Sequence, residues 1–175
     1  MIIREASPTP TARSPAVQKA DTTLVLGLGN ILLTDEGTGV HVVTRLAETH
    51  AGREDVEFMD GGTLSFSLAG AIVATDSLIV VDTAALGAAP GAIRVFEGDA
   101  MDQFVTTGPR SSVHEVSLSD LLAVTALEGL LPRRRALVGI QPQDMDWGDR
   151  PTNAVAQAIP AACEAVMDIV NRWQS

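Results

Sequence analysis

Five polar side chains stand where side chains do chemistry. Asp35 and Glu36 follow an apolar run that ends at Gly27, Asp60 closes a second run, Asp82 closes a third, and His114 sits near the start of an amphipathic stretch. Carboxylate oxygens together with a neutral imidazole suit a divalent transition ion such as nickel or zinc. A helix N-terminus disfavours the imidazolium and so keeps His114 a free base able to ligate. Three protein ligands leave coordination positions open, as chemistry on a bound molecule requires. Each residue also has a plain structural reading. Asp35 or Glu36 can complement a helix dipole, Asp60 in Asp60-Gly61-Gly62 can make a turn, and His114 can be a solvated residue of a first helical turn. What favours chemistry is the set: two carboxylates and an imidazole, from three loops, at one edge of a sheet.

Such residues meet only if the apolar runs are strands of one sheet. Residues 22–27, 56–59, 78–81 and 136–140 read as buried strands, and 78–81 is apolar on both faces as central parallel strands are. Residues 92–96 read as a further strand after the turn at Ala88-Ala89-Pro90-Gly91, where a short loop leaves room for an antiparallel hairpin. Between strands, 37–50 and 64–74 read as helices. A third helix follows Ser112-Val113-His114-Glu115, which fits a capping box, with Leu118, Leu121, Leu122 and Thr125 on one face. Thr152 is a plausible cap for the last helix, whose buried stripe is Val155, Ile159, Ala162, Val166 and Ile169; Pro160 predicts a kink or restart there. The alternation predicts an α/β fold: a single-domain, three-layer sandwich with a mostly parallel twisted sheet flanked by helices. In such sheets ligands bind beyond the carboxyl ends of the strands, where the candidate residues lie.

Composition excludes much else. The chain has 175 residues, 46% of them hydrophobic, and reads as one domain over 22–175 preceded by a flexible, proline-containing tail over 1–21. Aromatics make up 3%, and 12 basic residues face 22 acids for a net charge of −10, so neither stacking platforms nor a phosphate-tracking surface exists for nucleic acid. The one cysteine, Cys163, falls on the apolar stripe of the last helix and reads as a core residue. A lone cysteine, no secretory signal and no membrane-spanning run predict a cytoplasmic protein without membrane insertion. The only lysine, Lys19, lies in the tail, so there is no Walker motif. Leu32 stands where a dinucleotide fingerprint needs glycine or alanine, and no Gly-x-Ser-x-Gly occurs. The other histidines, His41 and His50, lie on or at the end of the first helix.

The run Gly27-Leu28-Gly29-Asn30-Ile31-Leu32-Leu33-Thr34-Asp35-Glu36-Gly37 resembles the opening motif of the [NiFe]-hydrogenase maturation endopeptidases. Asp60-Gly61-Gly62-Thr63, Val80-Val81-Asp82, His114-Glu115-Val116 and Val138-Gly139-Ile140-Gln141-Pro142 follow in family order, so the likeness covers about residues 22–173. The resemblance implies a compact α/β fold and removal of the C-terminal peptide from a hydrogenase large-subunit precursor after nickel insertion. It implies Glu36, Asp82 and His114 as metal ligands and catalytic residues, with the nickel arriving on the substrate and no organic cofactor. Asn30, Asp60, Gly61 and Gly62 are expected to shape the substrate cleft. The expected partner is the large-subunit precursor, met by a monomer. A non-enzymatic nickel or precursor chaperone would use the same residues, and only cleavage separates the two. Trp147, among acids in the loop 141–150, reads either as a docking residue for the large subunit or as an aromatic that caps its own loop.

Overall fold

The computed structural model describes residues 20–63, 66–107 and 118–175. Strands β1 (Ala20–Leu28), β2 (Val56–Gly62), β3 (Thr75–Thr83), β4 (Ile93–Glu97) and β5 (Arg134–Ile140) form one sheet in the order β2-β1-β3-β5-β4. All neighbours are parallel except β4, which runs antiparallel to β5. Helices α1 (Thr38–Thr49), α2 (Ala69–Ala74), α3 (Asp99–Thr107), α4 (Leu118–Leu127) and α5 (Asn153–Gln174) cover the sheet.

Successive strand residues point to opposite faces, so the chain must supply apolar residues for both. Val25, Ile79, Val81 and Val138 face a layer built from Val42, Val43 and Leu46 of α1 and Val155, Ala162, Val166 and Ile169 of α5. Leu24, Leu26, Leu78, Val80 and Leu137 face the opposite layer, where Ile72 of α2, Met101 of α3 and Leu121 and Leu122 of α4 close the core. The three-layer α/β sandwich is therefore as the sequence predicts. Cys163 is a free thiol buried in the first of these cores, and burial pushes its pKa up.

The strands outrun the apolar runs that announce them. β3 begins at Thr75, whose hydroxyl donates to the Thr22 carbonyl at 2.7 Å, and β5 begins at Arg134, whose Nε donates to Ser77 Oγ at 2.8 Å. Polar termini pair their backbones as well as apolar centres do, but they leave no hydrophobic signature. β1 likewise reaches back to Ala20; residues 1–19 lie outside the described residues. The fourth strand is antiparallel as expected, yet it does not form a hairpin with β3. β5 occupies that edge, and residues 84–92 cross its carboxyl end through Ala84 N–H to Ile140 O, Gly91 N–H to Gln141 O and Gln141 N–H to Ala92 O, each 2.9 Å. The helix expected over 64–74 is a 3₁₀ turn, Phe66–Leu68, followed by α2. α3 has no counterpart in the sequence reading. α5 runs unbroken through Pro160, so no restart occurs. The capping box at Ser112 and Glu115 lies outside the described residues. Among the described residues no helix is long and apolar enough to cross a membrane.

Candidate active site

The loop after β1 is folded back on itself, and glycines permit it. Gly29 adopts φ +131°, and a Cβ there would stand 1.8 Å from the Glu36 carbonyl oxygen. Within the loop, Asn30 Oδ1 accepts from Leu32 N–H at 3.0 Å, Asn30 O accepts from Leu33 N–H at 3.0 Å, and Leu33 O accepts from Glu36 N–H at 2.8 Å. The result places Glu36, 4% exposed, at the mouth of α1. α1 in turn lies hard against the sheet. A Cβ on Gly39 would meet the Val81 carbonyl oxygen at 2.2 Å and the Leu28 carbonyl oxygen at 2.4 Å, and one on Gly27 would meet the Gly39 carbonyl oxygen at 2.3 Å.

This close crossing brings the loop of Glu36 beside the end of β3, where Asp82 sits. Asp82 Oδ1 accepts from Thr83 N–H at 2.7 Å. Burial lifts the Asp82 carboxyl to about 7; the Thr83 N–H opposes the shift, and the negative charge of Glu36 adds to it. Glu36 and Asp82 are thus brought together as an interacting, partly desolvated pair. Two carboxylates in one poorly solvated place attract a cation or share a proton. Among the described residues no three His, Cys, Asp or Glu side chains form a metal-binding group. His114, the third expected ligand, lies outside the described residues.

Asp35 takes a different part from its neighbour. It is fully buried, with Oδ2 accepting from Gln143 N–H at 2.8 Å, Asp144 N–H at 3.0 Å and the Thr152 hydroxyl at 3.0 Å, and Oδ1 accepting from Thr152 N–H at 2.7 Å. Its carboxylate clasps the β1–α1 loop to residues 143–152 and stands at the N-cap of α5, where a negative charge suits the helix dipole. Thr152 occupies the N-cap position of α5 and makes no side-chain cap bond; its hydroxyl donates to Asp35.

Asp60, Gly61 and Gly62 continue β2 rather than close it. Asp60 is exposed, and its Oδ1 accepts from Gly62 N–H at 2.8 Å, so the turn reading accounts for one of its oxygens. The residue also borders a groove of about 360 Å³ between β2 and α1, lined by Val43, Thr44, Ala47, Glu48 and Phe58. A Cβ on Gly61 would meet Leu26 and Leu28 methyl groups at 2.8 Å, and the Gly62 carbonyl accepts from Gly29 N–H at 2.9 Å. The two glycines therefore seat the edge strand and fix the start of the Glu36 loop. Asn30 Oδ1 is likewise engaged in its own turn.

Sequence reasoning missed two positioning residues. Gly39 is one; a glycine in the first turn of a helix, where it weakens the helix, is the signal that marks a close approach. Gln141 is the other: its Oε1 accepts from Leu86 N–H at 2.7 Å and Ala88 N–H at 3.4 Å, closing the loop that follows Asp82.

The family model for hydrogenase maturation proteases matches residues 40–169. The hydrogenase expression/formation protein HupD of Rhizobium leguminosarum bv. viciae is 36% identical over 151 residues, 86% of this chain and 74% of that protein. The hydrogenase 2 maturation protease of Escherichia coli K12 is 34% identical over 145 residues, 82% of this chain and 87% of that one. Among solved structures, the hydrogenase maturating endopeptidase HybD from E. coli superposes with a TM-score of 0.78 at 31% identity, covering 86% of this chain and 93% of that chain.

Proposed function

Because the chain belongs to the hydrogenase maturation protease family, we propose that it removes the C-terminal peptide of a [NiFe]-hydrogenase large-subunit precursor after nickel insertion, recognising the nickel that the precursor carries. Glu36, Asp82 and His114 are the residues to which this reading gives the nickel. The observation that carries it is the Asp82 carboxyl, raised to about 7 in a buried place beside Glu36. A precursor without metal offers this pair nothing to offset its mutual repulsion, and the raised pKa lets Asp82 take up a proton near neutral pH instead. A precursor that presents a divalent ion displaces the proton and gains two charged oxygen ligands at once. Discrimination between loaded and unloaded precursor then follows from the difference between those two encounters.

The reaction is amide hydrolysis: water oxygen bonds to the scissile carbonyl carbon, the C–N bond breaks, and a proton passes to the departing amine. The substrate's nickel, as a Lewis acid, supplies either polarisation of that carbonyl or a more acidic water. Glu36 and Asp82 hold the ion in register with the peptide, and the imidazole of His114 completes the donor set. The groove beside Asp60, with Gly61 and Gly62 at its end and Asn30 on the neighbouring loop, takes the substrate chain that flanks the cut. The enzyme acts as a monomer in the cytoplasm.

Purified protein incubated with nickel-loaded precursor should shorten the C-terminus, read by mass spectrometry, and should leave nickel-free precursor intact. Glu36→Gln, Asp82→Asn and His114→Ala should each slow cleavage on the order of 100-fold or more while circular dichroism shows a folded protein. Variants that cut at the wild-type rate would sink the assignment.

A further inference from the structure

The loop 141–150 leaves a large indole in water. Trp147 is 82% exposed, and two more large apolar side chains are exposed on the loop across from it, Ile31 at 50% and Leu32 at 55%. An aromatic that capped its own loop would be covered, so that reading of Trp147 is excluded. The three side chains belong to one knitted unit. Leu33 bridges Trp147 as an isolated antiparallel pair, and Gly148 N–H donates to the Leu32 carbonyl at 3.0 Å. The Thr34 hydroxyl donates to the Asp144 carbonyl at 2.6 Å, and Asp35 N–H donates to the same oxygen at 3.1 Å. Behind them stands the Asp35 clasp, a fully buried carboxylate with four hydrogen bonds into residues 143–152. The buried polar network fixes the backbone of this loop and so presents the indole to solvent at a defined place, and a large apolar side chain presented in this way suits a partner.

Place and charge say which partner. Ile31 and Leu32 lie on the same short loop as Glu36, so this patch adjoins the carboxyl edge of the sheet, and a folded substrate whose tail reaches Glu36 and Asp82 must lie across that edge. Within residues 141–150 the exposed carboxylates of Asp144, Asp146 and Asp149 outnumber the one exposed cation, Arg150. A large aromatic inside a charged rim is the make-up of an interface anchor.

We propose that Trp147, with Ile31 and Leu32, docks the folded body of the precursor, away from the peptide that is cut, by entering an apolar depression bordered by basic side chains. This rests on the reading of the chain as the protease of that precursor. Docking of this kind acts on encounter and retention rather than on bond cleavage, so it separates KM from kcat.

Incorporating 5-fluorotryptophan into the full chain gives one ¹⁹F resonance for each of its two tryptophans, Trp147 and Trp173, assigned with Trp147→Phe. Adding an excess of unlabelled nickel-loaded precursor to the Glu36→Gln variant, in which cleavage is slowed while Asp82 and His114 remain, should shift or broaden the Trp147 resonance and leave that of Trp173 in place. Trp147→Ala in the otherwise native enzyme should raise KM on the order of tenfold or more with kcat within about twofold. An unmoved Trp147 resonance, or an unchanged KM, while the native enzyme cleaves the precursor overturns the docking surface and leaves the protease reading standing. A native enzyme that fails to cleave loaded precursor overturns that reading and this one with it. A Trp147 resonance that shifts with protein concentration alone assigns the patch to a second copy of the chain and likewise overturns the proposal.

Discussion

Asp82 is a carboxyl placed where it carries charge badly. Its pKa of about 7 arises first from burial, is resisted by the Thr83 N–H, and is raised further by Glu36. In the unfolded chain the same group titrates near its ordinary value of about 3.9. The native state therefore binds the proton more tightly, and the stability that follows is fully present below about 4 and is lost as pH rises through about 7. Asp82→Asn removes the charge but keeps the shape. In metal-free protein its melting temperature should exceed that of the wild type at pH 8, by a few degrees, and the gap should close as pH falls towards 4. A thermal-unfolding series at fixed ionic strength measures it, and a gap independent of pH would refute the argument. Glu36 and Asp82 are legible in the sequence because each follows an apolar run that ends at the same edge of a parallel sheet. The division of labour between Asp35 and Glu36 is not legible. Adjacent residues with the same carboxyl chemistry part ways because the partners of Asp35 lie 108, 109 and 117 residues further along the chain. Local pattern holds no information about contacts at that separation.

Between elements, the decisive contact is the crossing of α1 over the ends of β1 and β3. The amphipathic period predicts α1 almost to the residue, yet how near it lies to the sheet depends on a missing side chain. Replacing glycine by alanine inside a helix normally gains about 1 kcal/mol. At Gly39 the added carbon would meet backbone oxygens of Val81 and Leu28 at 2.2 and 2.4 Å, which cannot swing aside as side-chain atoms do. Gly39→Ala should therefore destabilise the protein by about 2–3 kcal/mol in urea denaturation and should also slow cleavage, because lifting α1 separates Glu36 from Asp82. A stabilised variant would show that helix propensity governs this position. The elements hardest to read are those with little to bury. α3 has only Met101 fully enclosed, with Phe104 and Val105 partly so, and its polar Asp99 and Asp102 resemble loop sequence. Asp102 is nonetheless used, forming an ion pair with Arg135 at the edge of β5.

The two helical layers are unequal partners of the sheet. α1 and α5, of 12 and 22 residues, bury six and seven residues, whereas α2, α3 and α4, of 6, 9 and 10 residues, bury one, one and three. Local opening costs least where the fewest apolar groups are uncovered. Amide hydrogen exchange should therefore be faster throughout α2, α3 and α4 than in the buried turns of α1 and α5, and equal protection in both layers would contradict this ranking. The fold class was legible because alternating apolar runs and amphipathic helices leave few ways to cover both faces of a sheet. The inequality of the layers was not, since it depends on how many side chains each helix finally encloses. The Asp35 clasp adds an order in time. A chain leaving the ribosome exposes Asp35 more than a hundred residues before Gln143, Asp144 and Thr152 emerge. Until then the loop bearing Glu36 lacks this buried anchor. The loop that carries Glu36 therefore takes its folded form only once α5 and the segment before it are free to dock.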